Sequence, residues 1–399
     1  MGKGLSFFIP HHGRPKISLR VPESHSLHVC PAACGRRIGL RSLNNGEADY
    51  SSFLYITEAD VISGDYENMV ADTIEELMEV LTPPPKAFLI HVNCIDDFLG
   101  TDEEALLVEL RDRFKDLHFT ICHINPIASQ DLVAPGARKQ DRLYSLLDRS
   151  SEQEASVNLI GNFVSPDTKG ELFTLLKEWG IPIVRQIHAL NSYDEFQRMA
   201  AARYNLVLMS MGRYTAQQME KRLDIPYLDM PVSYDLNEVE KCYHALALVL
   251  GVVPKGWEGY RREAEAAIAS CRKKLRNTPL LIDSSAAMRP FAMAKALQGY
   301  GFKIAAIFIT HGKDEDMAER QWLIEHSPET RIIWGGRYDT VISHDLPADA
   351  VAIGFDVAYT LKSPRFVDLQ RDETLFGFHG IRTLMEKIAE AYDTETRWD

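Results

Sequence analysis

The stretch "LHVCPAACGRRIG" (27–39) sets Cys30 and Cys34 four residues apart, with His28 just before and Arg36 and Arg37 just after. Cys94 follows the apolar run "KAFLIHVN" (86–93). Functional groups in open α/β sheets collect beyond the carboxyl ends of strands, so a thiol at Cys94 is well placed to face those of the Cys30–Cys34 loop. Three soft thiolates suit an iron–sulfur cluster or zinc. Zinc modules usually bring four ligands together in closely spaced pairs, which these three positions match less well. Buried, unligated thiols are the third reading, and spacing alone leaves all three open. Cys122, Cys242 and Cys271 fall in an apolar run or in helical segments and read as small packed hydrophobes. His91 reads as a core histidine.

The elements that must position these thiols follow one pattern. Apolar runs at 53–61, 86–93 and 118–124 read as buried strands, and segments at 66–81 and 101–117 have apolar residues at helical spacing. Thr101 and Asp102 make a sensible helix start. Cys34 falls in a loop or helix start ahead of the first of these strands. After a polar stretch at 146–156 the alternation resumes, with strands at 157–163, 181–187 and 204–210 and helices near 168–179, 193–203, 214–223 and 235–250. A charged helix at 256–275 leads to strands at 279–285, 303–310, 330–336 and 350–355 and a last helix at 381–392. Repeated β–α alternation implies mainly parallel sheets flanked by helices. The expected fold is therefore α/β, with three Rossmann-like domains: 1–150 (cluster-binding), 151–275 and 276–399.

The chain has 399 residues, 45% of them apolar and 25% charged, with a formal net charge of −13. That composition supports packed cores and argues against a broad nucleic-acid surface. No run reaches the length of a membrane span, and the N-terminus lacks the apolar core of a signal peptide, so a cytoplasmic location is expected. In a reducing compartment, cysteines serve as ligands or buried thiols rather than disulfides. Neither a phosphate-binding G-x-x-x-x-G-K-[ST] loop nor a G-x-G-x-x-G turn is present, and there is no G-x-S-x-G elbow.

Four stretches together resemble the nitrogenase component 1 superfamily. "HVCPAACGRR" (28–37) is similar to its histidine–glycine–proline–x–glycine–cysteine loop, with Pro31 and Cys34 keeping the proline–x–x–cysteine spacing. "TEADVISGD" (57–65) resembles a threonine–glutamate segment of its β-type subunits. "HVNCIDDFLGTD" (91–102) matches the next ligand motif at Cys94, Gly100 and Asp102. "NLVLMSMGRYTAQQMEKRLDIPYLDMPV" (205–232) resembles its second-domain strand, helix and "GIPY" segment.

The resemblance implies that Cys34 and Cys94 are cluster ligands. The family's earlier cysteine has no counterpart in "FFIPHHGRP", and Cys30 is an extra thiol that would serve as third ligand. A [4Fe–4S] cluster at a subunit interface is then expected, with a larger P-cluster-like group as the other form. Met209 stands near the place of the active-site cofactor's cysteine, and His379 lies in a turn rather than where that cofactor's histidine belongs. The implied role is a β-type subunit of a nitrogenase-like reductase. Its partners would be a homologous component 1 subunit, in a homodimer or α2β2-type heterotetramer, and an ATP-dependent iron protein that supplies electrons. A non-catalytic scaffold for metallocluster assembly is the alternative.

Overall fold

The computed structural model describes residues 19–397 except 65, 101, 125–132, 134, 163, 310–315 and 335–345. Its strands form three sheets in which every pairing is parallel. The first contains β1 (Ser24–Cys30), β2 (Ser51–Tyr55), β3 (Ala87–Asn93) and β4 (His118–Ile124) in the order β2-β1-β3-β4. The second contains β5 (Ser156–Ile160), β6 (Ile183–Arg185), β7 (Tyr204–Val207) and β8 (Tyr227–Asp229) in the order β6-β5-β7-β8. The third contains β9 (Leu280–Asp283), β10 (Ile304–Ile309), β11 (Arg331–Trp334), β12 (Val351–Ile353) and β13 (Phe366–Val367) in the order β11-β10-β9-β12-β13. One sheet falls in each of the segments 1–150, 151–275 and 276–399.

Helices α1 (Ala32–Asn45), α2 (Glu58–Ser63), α3 (Tyr66–Val80), α4 (Cys94–Leu99), α5 (Glu103–Arg113) and α6 (Pro135–Tyr144) accompany the first sheet. Helices α7 (Glu171–Glu178), α8 (Tyr193–Gln197), α9 (Met211–Leu223), α10 (Leu236–Leu250) and α11 (Glu258–Leu275) follow. Then come α12 (Pro290–Gly299), α13 (Met317–His326), α14 (Phe355–Leu361) and α15 (Gly377–Asp393). By contact the described residues form two compact units: 19–163 with 183–229, which hold the first two sheets, and 164–182 with 230–397, which hold the third. Among the described residues no helix is long and apolar enough to cross a membrane.

Two features of the first sheet differ from the sequence expectation. Its central strand β1, "SHSLHVC", lies ahead of Cys34, where no strand is expected, while Cys34 itself stands at a helix start as expected. Its serines and histidines hide it from a hydrophobic pattern, yet six of its seven residues are buried because helices cover both faces. The apolar run at 53–61 is strand only as far as Tyr55. There Thr57 and Asp60 form a capping box, with the Asp60 N–H donating to Thr57 Oγ1 and the Thr57 N–H donating to Asp60 Oδ2 at 2.7 Å, and this turns the rest into α2. Thr101 lies outside the described residues, whereas Asp102 caps α5 by accepting from the Ala105 N–H at 3.0 Å.

Alternation along β1 and β3 assigns each face its task. Leu27, Val29, Phe88, Ile90, Val92, Phe119 and Ile121 face α3 and α5 and form one apolar core with Val70, Ile74, Leu106 and Leu110. Ala87, Leu89 and Cys122 point the other way, into a core with Leu143 and Tyr144 of α6 and Ile160 of the second sheet.

Candidate functional site

Chain order sends β1 to β2 on one side and then across to β3 on the other, so the first sheet reverses direction between β1 and β3. Crevices at such a switch point, beyond the carboxyl ends, are where open α/β sheets place ligands. Cys30 is the last residue of β1, Cys34 sits in the first turn of α1, and Cys94 is the first residue of α4, directly after β3. All three expected ligands therefore stand at one edge of one sheet, flanking its switch point. Their sulfurs do not make a single-ion site, since the one set of ligand atoms within 4.8 Å of one another among the described residues lies elsewhere. Thiolates that bind different irons of a cluster need not approach so closely.

Each position is fixed by local structure. Asn93 closes β3 onto β1, its side-chain N–H donating to Val29 O at 2.9 Å, and caps α4 by accepting from the Ile95 N–H at 2.8 Å. Pro31 precedes α1, and its carbonyl accepts from the Cys34 and Gly35 N–H groups at 3.0 and 3.1 Å. Among the described residues no side chain caps this helix, and its first turn has no acidic residue, so its positive end suits an anionic ligand. Gly35 lets Tyr55 lie against α1, since a Cβ there would stand 2.4 Å from the Tyr55 ring. Cys30 is buried, and desolvation, with Cys34 beside it, pushes its thiol up to about 11. A metal must therefore displace a firmly held proton there.

Below the cysteines runs a row of residues whose alignment across the sheet the sequence reading missed. Register places Phe53, His28, His91 and Cys122 side by side across β2, β1, β3 and β4. His28 stacks on His91 at 4.5 Å between centroids and on Phe53 at 5.1 Å. Burial holds His28 down to about 4 and His91 well below its ordinary value, so both rings are neutral at neutral pH. His91 is thus the core histidine expected, its Nε2 3.3 Å from Ser26 Oγ. His28 Nδ1 is buried with no hydrogen-bond partner among the described residues. The signal available in the sequence was the spacing of Ser24, Ser26 and His28 along one strand face.

The other two sheets fill their switch points with protein. In the second, Gly161 after β5 meets Gly212 of α9 so closely that a Cβ on Gly212 would stand 2.7 Å from Gly161 N and Cα, and buried Met209 supplies a carbonyl to the same contact. In the third, buried Asp283, the last residue of β9, accepts from the Val357 and Ser285 N–H groups at 2.9 and 2.6 Å, and burial pushes its carboxyl up to about 6. His379 has both ring nitrogens engaged, Nε2 with Asp167 Oδ2 at 2.9 Å and Nδ1 with Arg382 at 3.1 Å. Among the described residues only the first sheet presents cysteines at its switch point.

The sequence profile of the nitrogenase component 1 type oxidoreductases matches residues 19–393. The chain belongs to this family. Its membership accounts for the three parallel sheets, because the solved structure of nitrogenase Cp1 at pH 6.5 superposes with a TM-score of 0.72. That match is 14% identical and covers 94% of this chain and 90% of the other, so the likeness is one of fold. Among curated component 1 relatives, the nitrogenase iron-molybdenum cofactor biosynthesis protein NifE of Clostridium pasteurianum is 24% identical over 293 residues, 69% of this chain and 61% of that protein. The protein of the same name from Klebsiella pneumoniae is 23% identical over 256 residues, 61% and 55% of the two chains. The matches thus span about three-fifths of these relatives' length.

Proposed function

We propose that this component 1 type chain holds an iron–sulfur cluster, a [4Fe–4S] cluster, on Cys30, Cys34 and Cys94, within a first domain spanning 1–150 that is followed by domains at 151–275 and 276–399. The observation that carries this is the placement of three thiols around the switch point of one sheet. The donor set fits, with three soft ligands beside an uncapped helix start. When bound, the cluster supplies one-electron storage at a potential set by thiolate ligation and surroundings. The chain's own residues shape those surroundings. Three thiols give up protons on ligation, α1 turns its positive end to the site, and neutral His28 and His91 add no charge beneath it.

A homologous subunit is the proposed partner at this edge. Leu40 and Leu43 of α1, the helix that also carries the exposed Cys34, and Tyr50, Tyr55 of β2 and Ile62 of α2 are exposed by 62, 66, 42, 48 and 85%, apolar side chains available to a partner. An ATP-dependent iron protein is the proposed electron donor, and the electrons pass to a substrate or second cofactor. The names of the curated relatives favour a second reading, in which the same cluster edge serves a scaffold for metallocluster assembly. The visible spectrum and iron content of anaerobically purified protein test the cluster. A brown protein whose iron falls in both Cys34→Ala and Cys94→Ala is the expected result. A colourless, iron-free wild type expressed with its neighbouring genes would overturn it. ATP-dependent reduction of the cluster separates the reductase from the scaffold, which instead hands a metal centre to an apo-acceptor.

A further inference from the structure

A second group of ligand atoms lies at the same edge of the first sheet but belongs to its other face. Asp96 of α4, Glu103 of α5 and His123 of β4 bring one carboxylate oxygen each and an imidazole nitrogen within 4.8 Å of one another. His123 pairs with Val92 across the sheet and so points to the side of Phe88, Ile90 and Ile121, away from Cys30 and His91. Glu103 stands three and seven residues before Leu106 and Leu110, the buried stripe by which α5 packs on that side. The packing that seats α5 therefore aims Glu103 at the end of β4, and its Oε1 meets His123 Nε2. Asp96 is 7% exposed, whereas the Glu103 and His123 side chains keep 26% and 29% exposure. Two carboxylates brought this close repel unless a cation or a proton stands between them.

We propose that Asp96, Glu103 and His123 hold one divalent transition-metal ion, separate from the cysteines. Three elements contribute one ligand each, so the convergence is a product of the tertiary fold and not of spacing along one helix. One imidazole and two carboxylates suit Mn2+, Fe2+ or Zn2+ and leave positions open for water or an exchangeable ligand. The ion would bind whether or not the cysteines hold a cluster.

Mn2+ is the probe, because its preference for oxygen and nitrogen keeps it off free thiolates. Anaerobically purified full-length protein is titrated with Mn2+, the free ion is read by its EPR signal, and Zn2+ is then added as competitor. One saturable equivalent per chain, displaced by Zn2+, is expected. His123→Ala and the near-isosteric Glu103→Gln should each weaken it at least ~10-fold, and Cys34→Ala and Cys94→Ala should leave it unchanged. Three results would overturn the assignment: no saturable binding, binding that survives Glu103→Gln undiminished, or binding lost with the cysteines. Circular dichroism checks that each variant is folded, and Glu103→Gln decides should His123→Ala not fold.

Discussion

Acid should weaken the unit that holds the first two sheets, and His25 supplies a measurable share of the effect. Its ring is 4% exposed, packs edge-on to Phe88 at 5.9 Å, and places Nε2 2.8 Å from Ser52 Oγ. Burial lowers it from 6.5 to about 4. The folded protein thus keeps a neutral ring between those values while the unfolded chain takes up a proton, so stability is present above pH 6.5 and is lost as pH falls towards 4. The whole difference is worth ~3 kcal/mol at about 1.4 kcal/mol per pH unit, of which ~2 kcal/mol disappears between about pH 7 and pH 5. His28, His91 and His188 of the same unit act with the same sign, and Asp141, held above its usual range by burial, acts against them. A comparison of wild type with His25→Gln isolates the single ring, since glutamine keeps a polar partner for Ser52. The described tryptophans, 179, 257, 322 and 334, belong to the other unit, so urea unfolding of this one is followed by far-UV circular dichroism. Wild type should lose ~2 kcal/mol more than His25→Gln over that pH span. Equal losses, within about 0.5 kcal/mol, would show that the buried ring does not resist protonation.

Tryptophan emission reports the second unit directly. Its buried Glu171 accepts from Tyr243 Oη at 2.9 Å and from the Phe378 and His379 N–H groups at the start of α15, at 2.5 and 3.1 Å. Glu171→Gln replaces an acceptor with an amide that turns a donor towards donors, and should cost ~3 kcal/mol in the urea transition seen by Trp257, which stacks on Tyr243. A cost below about 0.5 kcal/mol would mean the carboxylate is not the clasp. Gly212→Ala should destabilise by at least ~2 kcal/mol, because the atoms its methyl meets are all backbone. Gly46→Ala, with open space around its φ of 70°, should cost only ~1 kcal/mol. Similar Tm losses in the two variants would contradict this contrast. Iron content should fall in Cys30→Ala as it does in Cys34→Ala and Cys94→Ala; retention of full iron would leave only two of the three cysteines as ligands.

Periodicity was enough to read the fold class and most strands, because parallel strands buried on both faces are largely apolar, as in "AFLI" at the start of β3. The cysteines were also legible, and so was the place of Cys94 after a strand, since the carboxyl end of a strand is marked by where its apolar run stops. What the sequence by itself determined is thus local: which residues repeat at which period, which turns are capped, and which residue types are at hand. Strand β1 escaped because the residues that cover its inner face are serines and histidines. Only neighbours drawn from β2, β3 and α6 make that face a place where a neutral, stacked imidazole is favourable. Strand order is equally invisible along the chain. That Cys30 and Cys94 flank a switch point, while Gly161 with Gly212 and Asp283 with Val357 occupy the corresponding positions of the other sheets, depends on which strands lie side by side. The Asp96, Glu103 and His123 group has no motif at all, because each residue comes from a different element. Tertiary structure alone decides such convergence, since side chains far apart in sequence meet only when the packing of whole helices and strands sets their positions.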